Sequence, residues 1–192
     1  MQLPQRKMKS SAQIVLLTSL ATCWASKLYS VELILFEALE VEGEPIIDFT
    51  DIRLMGRERA LNGTVRINED MDAANFQMSV DFQTDPLRNG EWRNMIFSVP
   101  QMNICRAMRL YIGTYGKSTL QRIQHTNLPF DGKHCPLPKG TYYIKDLLMN
   151  SDTWPEIMPI GYLNGNFRFL KRGKLIGGVK CLTEISQNIL ML

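Results

Sequence analysis

The residues of this chain whose types could do chemistry are few: three cysteines in its body, two histidines and one acidic run. The cysteines are Cys105, Cys135 and Cys181, with a fourth, Cys23, near the start; the histidines are His125 and His134. His134 abuts Cys135, which suggests a base beside a thiol nucleophile. Adjacent residues on an extended chain point to opposite faces, however, and Pro136 and Pro138 keep this stretch extended. An oxidised Cys135 would also have no thiolate to offer. Two histidines fall short of a structural zinc set. The run Glu69-Asp70-Met71-Asp72 lacks the glycine and terminal glutamate of a calcium loop and reads as a solvated hairpin turn. No glycine-rich phosphate loop is present, and Gly177-Gly178 inside a strand pattern reads as a bulge or a close backbone approach. The expectation is a protein that is not an enzyme and carries no metal or cofactor. Asn62-Gly63-Thr64 is an intact acceptor for N-linked sugar in an exported chain.

Export is what the first residues indicate. Arg6, Lys7 and Lys9 form a basic segment, residues 12–21 are apolar and uncharged, and Cys23 and Ala25 place small side chains before a cleavage point at Ser26. The apolar run is shorter than the roughly 20 residues a spanning helix needs. Residues 1–25 therefore read as a cleaved signal peptide, and the remainder as a secreted, extracellular chain with no transmembrane segment.

Removing that segment changes the charge balance. The full chain has 22 Lys+Arg against 19 Asp+Glu, and the segment carries three bases and no acid, which leaves 19 of each sign. Bases and acids are interspersed, so no basic face for nucleic acid is expected. The remaining residues 26–192 suit one domain with one core, and no repeat or low-complexity linker divides them. In an oxidising compartment three cysteines imply one bridge and one leftover thiol, and all three pairings are open at this point. Cys181 alternates in phase with Val179 and Ile185, where it would serve as a small buried hydrophobe, or alternatively bridge to another chain.

The dominant period along the chain is two. Phe76, Met78, Val80 and Phe82 alternate with Gln77, Ser79, Asp81 and Gln83, as on a strand with one wet face. Met95, Phe97 and Val99 repeat the pattern, as do Leu61, Val65 and Ile67, and Phe167 with Phe169. Residues 29–39, 46–55, 141–149 and 175–185 are further strand candidates. Turn signals separate them at Gly43-Glu44-Pro45, Gly56-Arg57, Asp70-Met71-Asp72, Arg88-Asn89-Gly90 and Arg172-Gly173. Many short strands at this spacing predict a mainly β protein, an antiparallel sandwich. The exception follows Pro100, where Ile104, Met108, Tyr111 and Tyr115 recur at helical spacing. One helix is expected around residues 101–115, ending near Gly113 or Gly116.

The order and spacing of several blocks resemble the insect chemosensory proteins of the B class (CheB), within a secreted insect family similar to ML-type, ganglioside-activator-like lipid-recognition domains. The blocks are Asp48-Phe49-Thr50-Asp51, Leu61-Asn62-Gly63-Thr64, Glu69-Asp70-Met71-Asp72, Phe97-Ser98-Val99-Pro100 with Cys105, and Cys135-Pro136-Leu137-Pro138-Lys139-Gly140 continuing to Trp154. Cys181 and the apolar tail after Ser186 depart from the pattern, and the helix is a feature of the insect branch. The resemblance implies an ML/immunoglobulin-like sandwich and a Cys105–Cys135 bridge. Such a bridge closes a loop of about 30 residues, worth roughly 3 kcal/mol in the chain-entropy picture. It also implies an apolar small-molecule or lipid ligand, such as a cuticular-hydrocarbon pheromone, held between the sheets in chemosensory perception. Phe76, Met78, Val80, Phe82, Phe97, Phe167 and Phe169 would then face inward and line the cavity, although the same faces would equally fill a packed core. The alternative is an extracellular protein-interaction module or accessory subunit of a chemosensory receptor channel.

Overall fold

A computed structural model describes residues 27–121 and 124–188. The export segment, with Cys23, and the tail 189–192 lie outside the described residues. The strands with alternating apolar residues pair antiparallel into two sheets. In the larger one, β1 (Tyr29–Ala38), β10 (Lys174–Gln187), β9 (Gly161–Lys171) and β5 (Phe76–Asp85) lie side by side. The short strands β6 (Arg93–Asn94) and β7 (Val99–Asn103) both pair with β5. In the smaller sheet, β4 (Ala60–Ile67) pairs with β2 (Ile47–Asp48), β3 (Arg53–Met55) and β8 (Gly140–Leu147). The protein is mainly β, as expected, and the two sheets enclose one main core.

Period-two alternation decides what that core contains. Phe76, Met78 and Val80 of β5 and Phe169 of β9 are at most 2% exposed, against Ile47, Val65 and Ile67 of the smaller sheet, also at most 2%. Burying each such side chain stabilises by about 1.5–3 kcal/mol. The outer face of the larger sheet is polar, with Asp81 of β5 ion-paired to Arg168 of β9. Gly177 allows β10 to bulge between Leu175 and Gly177; a Cβ there, at φ +154°, would collide with the Ile47 carbonyl.

Four sequence expectations need correction. Residues 46–55 do not make one strand. The Asp48 carboxylate takes the Thr50 N–H at 2.9 Å and the Thr50 hydroxyl at 2.6 Å, so the chain turns and separates β2 from β3. Residues 95–98 are not a strand either. The Ser98 hydroxyl donates to the Met95 carbonyl and accepts from the Phe82 N–H, so it takes over backbone partners that a ladder would use. Phe97 is consequently 64% exposed rather than inward. The acidic run is not a simple hairpin turn. It carries the chain from the smaller sheet to the larger, Met71 is fully buried, and Met71 and Leu137 exchange backbone hydrogen bonds at 2.8 and 3.0 Å. Asp72 accepts from the N–H groups of Ala74 and Asn75 at 2.8 and 2.7 Å.

The fourth correction concerns the helix, which starts at Ile104 because residues 101–103 belong to β7. The Asn103 side chain caps it by accepting from the Arg106 N–H at 2.8 Å. Its first turn, α1 (Ile104–Ala107), widens into a π-helical stretch (Met108–Ile112) and closes with α2 (Gly113–Tyr115) before Gly116. Ile104, Ala107 and Met108 are at most 1% exposed. Cys105 on this helix is bridged to Cys135, with the two Cα atoms 5.7 Å apart. The bridge ties the β7 side of the larger sheet to the approach of β8 in the smaller one. Among the described residues no helix is long and apolar enough to cross a membrane.

Candidate functional site

On the side of the sandwich away from the disulfide, β1 and β3 are edges of their sheets and do not pair with each other. The gap between them is a trough of about 620 Å³. A bulge between Leu33 and Leu35 reverses the parity of β1, so Leu33 and then Phe36 and Ala38 all turn toward the interior. Phe36 lies opposite Cys181 on β10 and Ala38 opposite Val179. The facing wall comes from the β2–β3 turn, where the Ile52 N–H donates to the Phe49 carbonyl at 3.0 Å and both side chains are directed inward at 4% and 7% exposure. Leu39 and Leu54 complete the apolar lining. Phe49 stacks on Phe169 with ring centroids 5.9 Å apart, so the trough is continuous with the core.

The lips of the trough are charged. On the larger sheet Lys180 stands 3.9 Å from Glu37, and Glu40 lies just beyond β1. On the smaller sheet Arg53 donates through one guanidinium nitrogen to the carbonyls of Thr50 and Ile52, the latter at 2.9 Å. Arg59 in the β3–β4 turn donates to the Ile34 carbonyl at 3.1 Å and lies 3.7 Å from Glu32, fastening that turn to β1 beside the trough. Beneath the turn, burial would raise the Asp48 carboxyl, but the Thr50 hydrogen bonds and the Arg66 guanidinium outweigh it and hold Asp48 below the usual aspartate value. A second concavity, about 370 Å³ on the outer face of the larger sheet, is lined by polar side chains.

The residues expected to line a cavity divide into three groups. Phe76, Met78, Val80 and Phe169 lie in the packed core. Phe82 and Phe167 are half-buried against it, edge to face with centroids 5.9 Å apart. Phe97 is on the surface. None of the trough-lining residues was expected from the sequence to line a cavity. The one local signal for them is the Asp48-x-Thr50 spacing, which marks a turn where the apolar pattern suggests a strand.

The remaining chemical candidates have defined places. Cys135 is committed to the bridge, and His134 holds Asp131 through Nδ1 at 2.8 Å. Cys181 is unpaired and partly buried against the core, and desolvation pushes its thiol up to about 12. The Asn62 carboxamide oxygen accepts from the Asp146 N–H at 3.0 Å, across the β4–β8 pairing.

Residues 75–165 match the family DUF1091, described as a protein of unknown function. No curated protein matches the chain. The matched stretch runs from β5 into β9 and contains the helix and both bridged cysteines. The trough lies outside it, since its lining comes from residues 36–54 and Lys180.

Proposed function

We propose that this chain is a secreted, non-enzymatic binding protein of the ML-like, CheB-related kind, carrying a hydrophobic ligand in chemosensory perception. The single observation that carries this reading is the trough between β1 and β3. Apolar side chains between charged lips line a concavity of the size used by small-molecule sites, and the concavity opens to solvent. A lipid or hydrocarbon ligand would supply the cover that the second sheet supplies elsewhere. The sandwich architecture and the family match over 75–165 support the same reading.

The test is a paired substitution. Ala38→Trp fills the trough and is expected to abolish uptake of an apolar fluorescent probe while leaving the melting temperature nearly unchanged. Val80→Trp overpacks a site that is 1% exposed and is expected to cost about 1–3 kcal/mol or more of stability. Native mass spectrometry after mild extraction should show an apolar adduct on the unmodified protein.

A second reading rests on a different observation. Ile96 is 97% exposed, Ile157 84%, Leu87 71% and Phe97 64%, all on connections between strands. Apolar side chains this exposed suit a protein-interaction module, such as an accessory subunit of a receptor channel. No probe uptake and no adduct would remove the carrier and leave this alternative.

A further inference from the structure

The trough's two lips differ in how their charges are held, and that difference bears on the ligand. On the larger sheet Lys180 already has Glu37 beside it, and Glu40 makes no hydrogen bond or ion pair among the described residues. On the smaller sheet Arg53 is fixed differently. One guanidinium nitrogen is held by the Thr50 and Ile52 carbonyls, and among the described residues Arg53 has no carboxylate partner. A guanidinium presents five N–H donors in a rigid fork, so holding one nitrogen on the backbone orients the rest. An anion meeting such a pre-oriented fork loses less freedom than one meeting a mobile lysine. The apolar lining, meanwhile, comes from both sheets, with Phe36, Ala38 and Leu39 on one side and Phe49, Ile52 and Leu54 on the other.

Resting on the carrier reading above, we propose that the trough takes a single-chain amphiphile with an anionic head group, the chain lying between β1 and β3 and the head on Arg53. A neutral hydrocarbon fills the same trough but leaves the remaining guanidinium N–H groups to water, so the site distinguishes the two.

The experiment is displacement of an apolar fluorescent probe from the full secreted chain by palmitate, hexadecanol and methyl palmitate. The expected result is that palmitate displaces the probe at a concentration on the order of tenfold lower than the two neutral ligands, the scale of a charge-assisted hydrogen bond. Arg53→Gln should abolish that preference while hexadecanol binding stays the same, and Arg53→Lys should restore part of it. An unchanged melting temperature for both variants confirms that the fold is intact; if Arg53→Gln unfolds, the loss of the palmitate preference at high salt in the unmodified protein decides instead. Equal displacement by all three ligands would overturn the head-group assignment and leave the carrier standing, as would a palmitate preference that survives Arg53→Gln. A probe that never binds would bring down the carrier reading itself.

Discussion

The gap between the two sheets is finished differently on its two sides. On one, the helix after β7 and the approach to β8 fill it, with Ile104, Met108 and Leu137 at most 1% exposed and the Cys105–Cys135 bridge across the seam. On the other, β1 and β3 approach without pairing, and Phe36, Ala38 and Leu54 remain half-buried around a trough. Similar apolar side chains are thus core on one flank and an open surface on the other. What separates them is whether a third element arrives to cover the gap. The family match falls in step with this division, since it contains the sealed flank and omits the open one.

The sharpest way to break the contrast is to unfasten the sealed flank. Cys105→Ala should cost on the order of 2–5 kcal/mol, read as a lower midpoint in denaturant. Peptide mapping without reduction should recover Cys105 joined to Cys135, and a link from Cys181 to either would contradict the bridge. A graded comparison comes next. Ile104→Ala, at a fully buried site, should lose about 2–5 kcal/mol, whereas Leu54→Ala on the trough wall should lose about 1 kcal/mol or less. Equal losses would mean that the trough is packed as tightly as the core.

Two titrations probe residues next to the open flank, Cys181 opposite Phe36 and Asp48 bonded to Thr50. The Cys181 thiol is raised from 9.0 to about 12 by desolvation, so the folded protein resists its ionisation while the unfolded chain does not. Its contribution is fully present below pH 9 and declines as pH rises toward 12. Cys181→Ser should flatten that alkaline decline, and in native protein the thiol should be unreactive to alkylation at pH 8. Asp48 is lowered, so its contribution is present above the ordinary aspartate value of 3.8 and is lost as pH falls through its folded value. Thr50→Val removes one of the hydrogen bonds responsible and should shift acid unfolding to higher pH by an amount worth less than about 1 kcal/mol. The smallest effect is expected at Asn62. Asn62→Gln in protein from a secreting host should remove a glycan-sized mass with little change in stability, and no mass difference would mean that the sequon is unused.

Much of the sealed flank was legible in the sequence because local rules govern it. The unbroken alternation of Phe76, Met78, Val80 and Phe82 marks β5, and the spacing of Ile104 and Met108 marks the helix. The same rule failed at Phe97, where one hydroxyl, that of Ser98, engages the backbone and turns the chain out of register. It failed again at residues 46–55, where Asp48 and Thr50 make a turn inside an apolar pattern. The trough was illegible for another reason. It joins residues 36–40 to residues 49–54 and to Lys180, and alternation reports which face a side chain takes, not whether anything lies opposite. The bulge that turns Phe36 and Ala38 inward is itself a product of the pairing with β10 and has no local marker in the β1 sequence.

The pairing of β1 with β10 also sets an order of events during synthesis. In the larger sheet β1 has a single partner, and that partner is the last strand of the fold, aligned so that Tyr29 lies opposite Gln187. Among the described strands β1 comes first and β10 last, so β1 has no sheet partner until β10 has been made. During that interval the apolar edge that will form one wall of the trough has no neighbour. The β1 wall of the trough is therefore the part of the fold whose completion depends on the most distant pairing in the described chain.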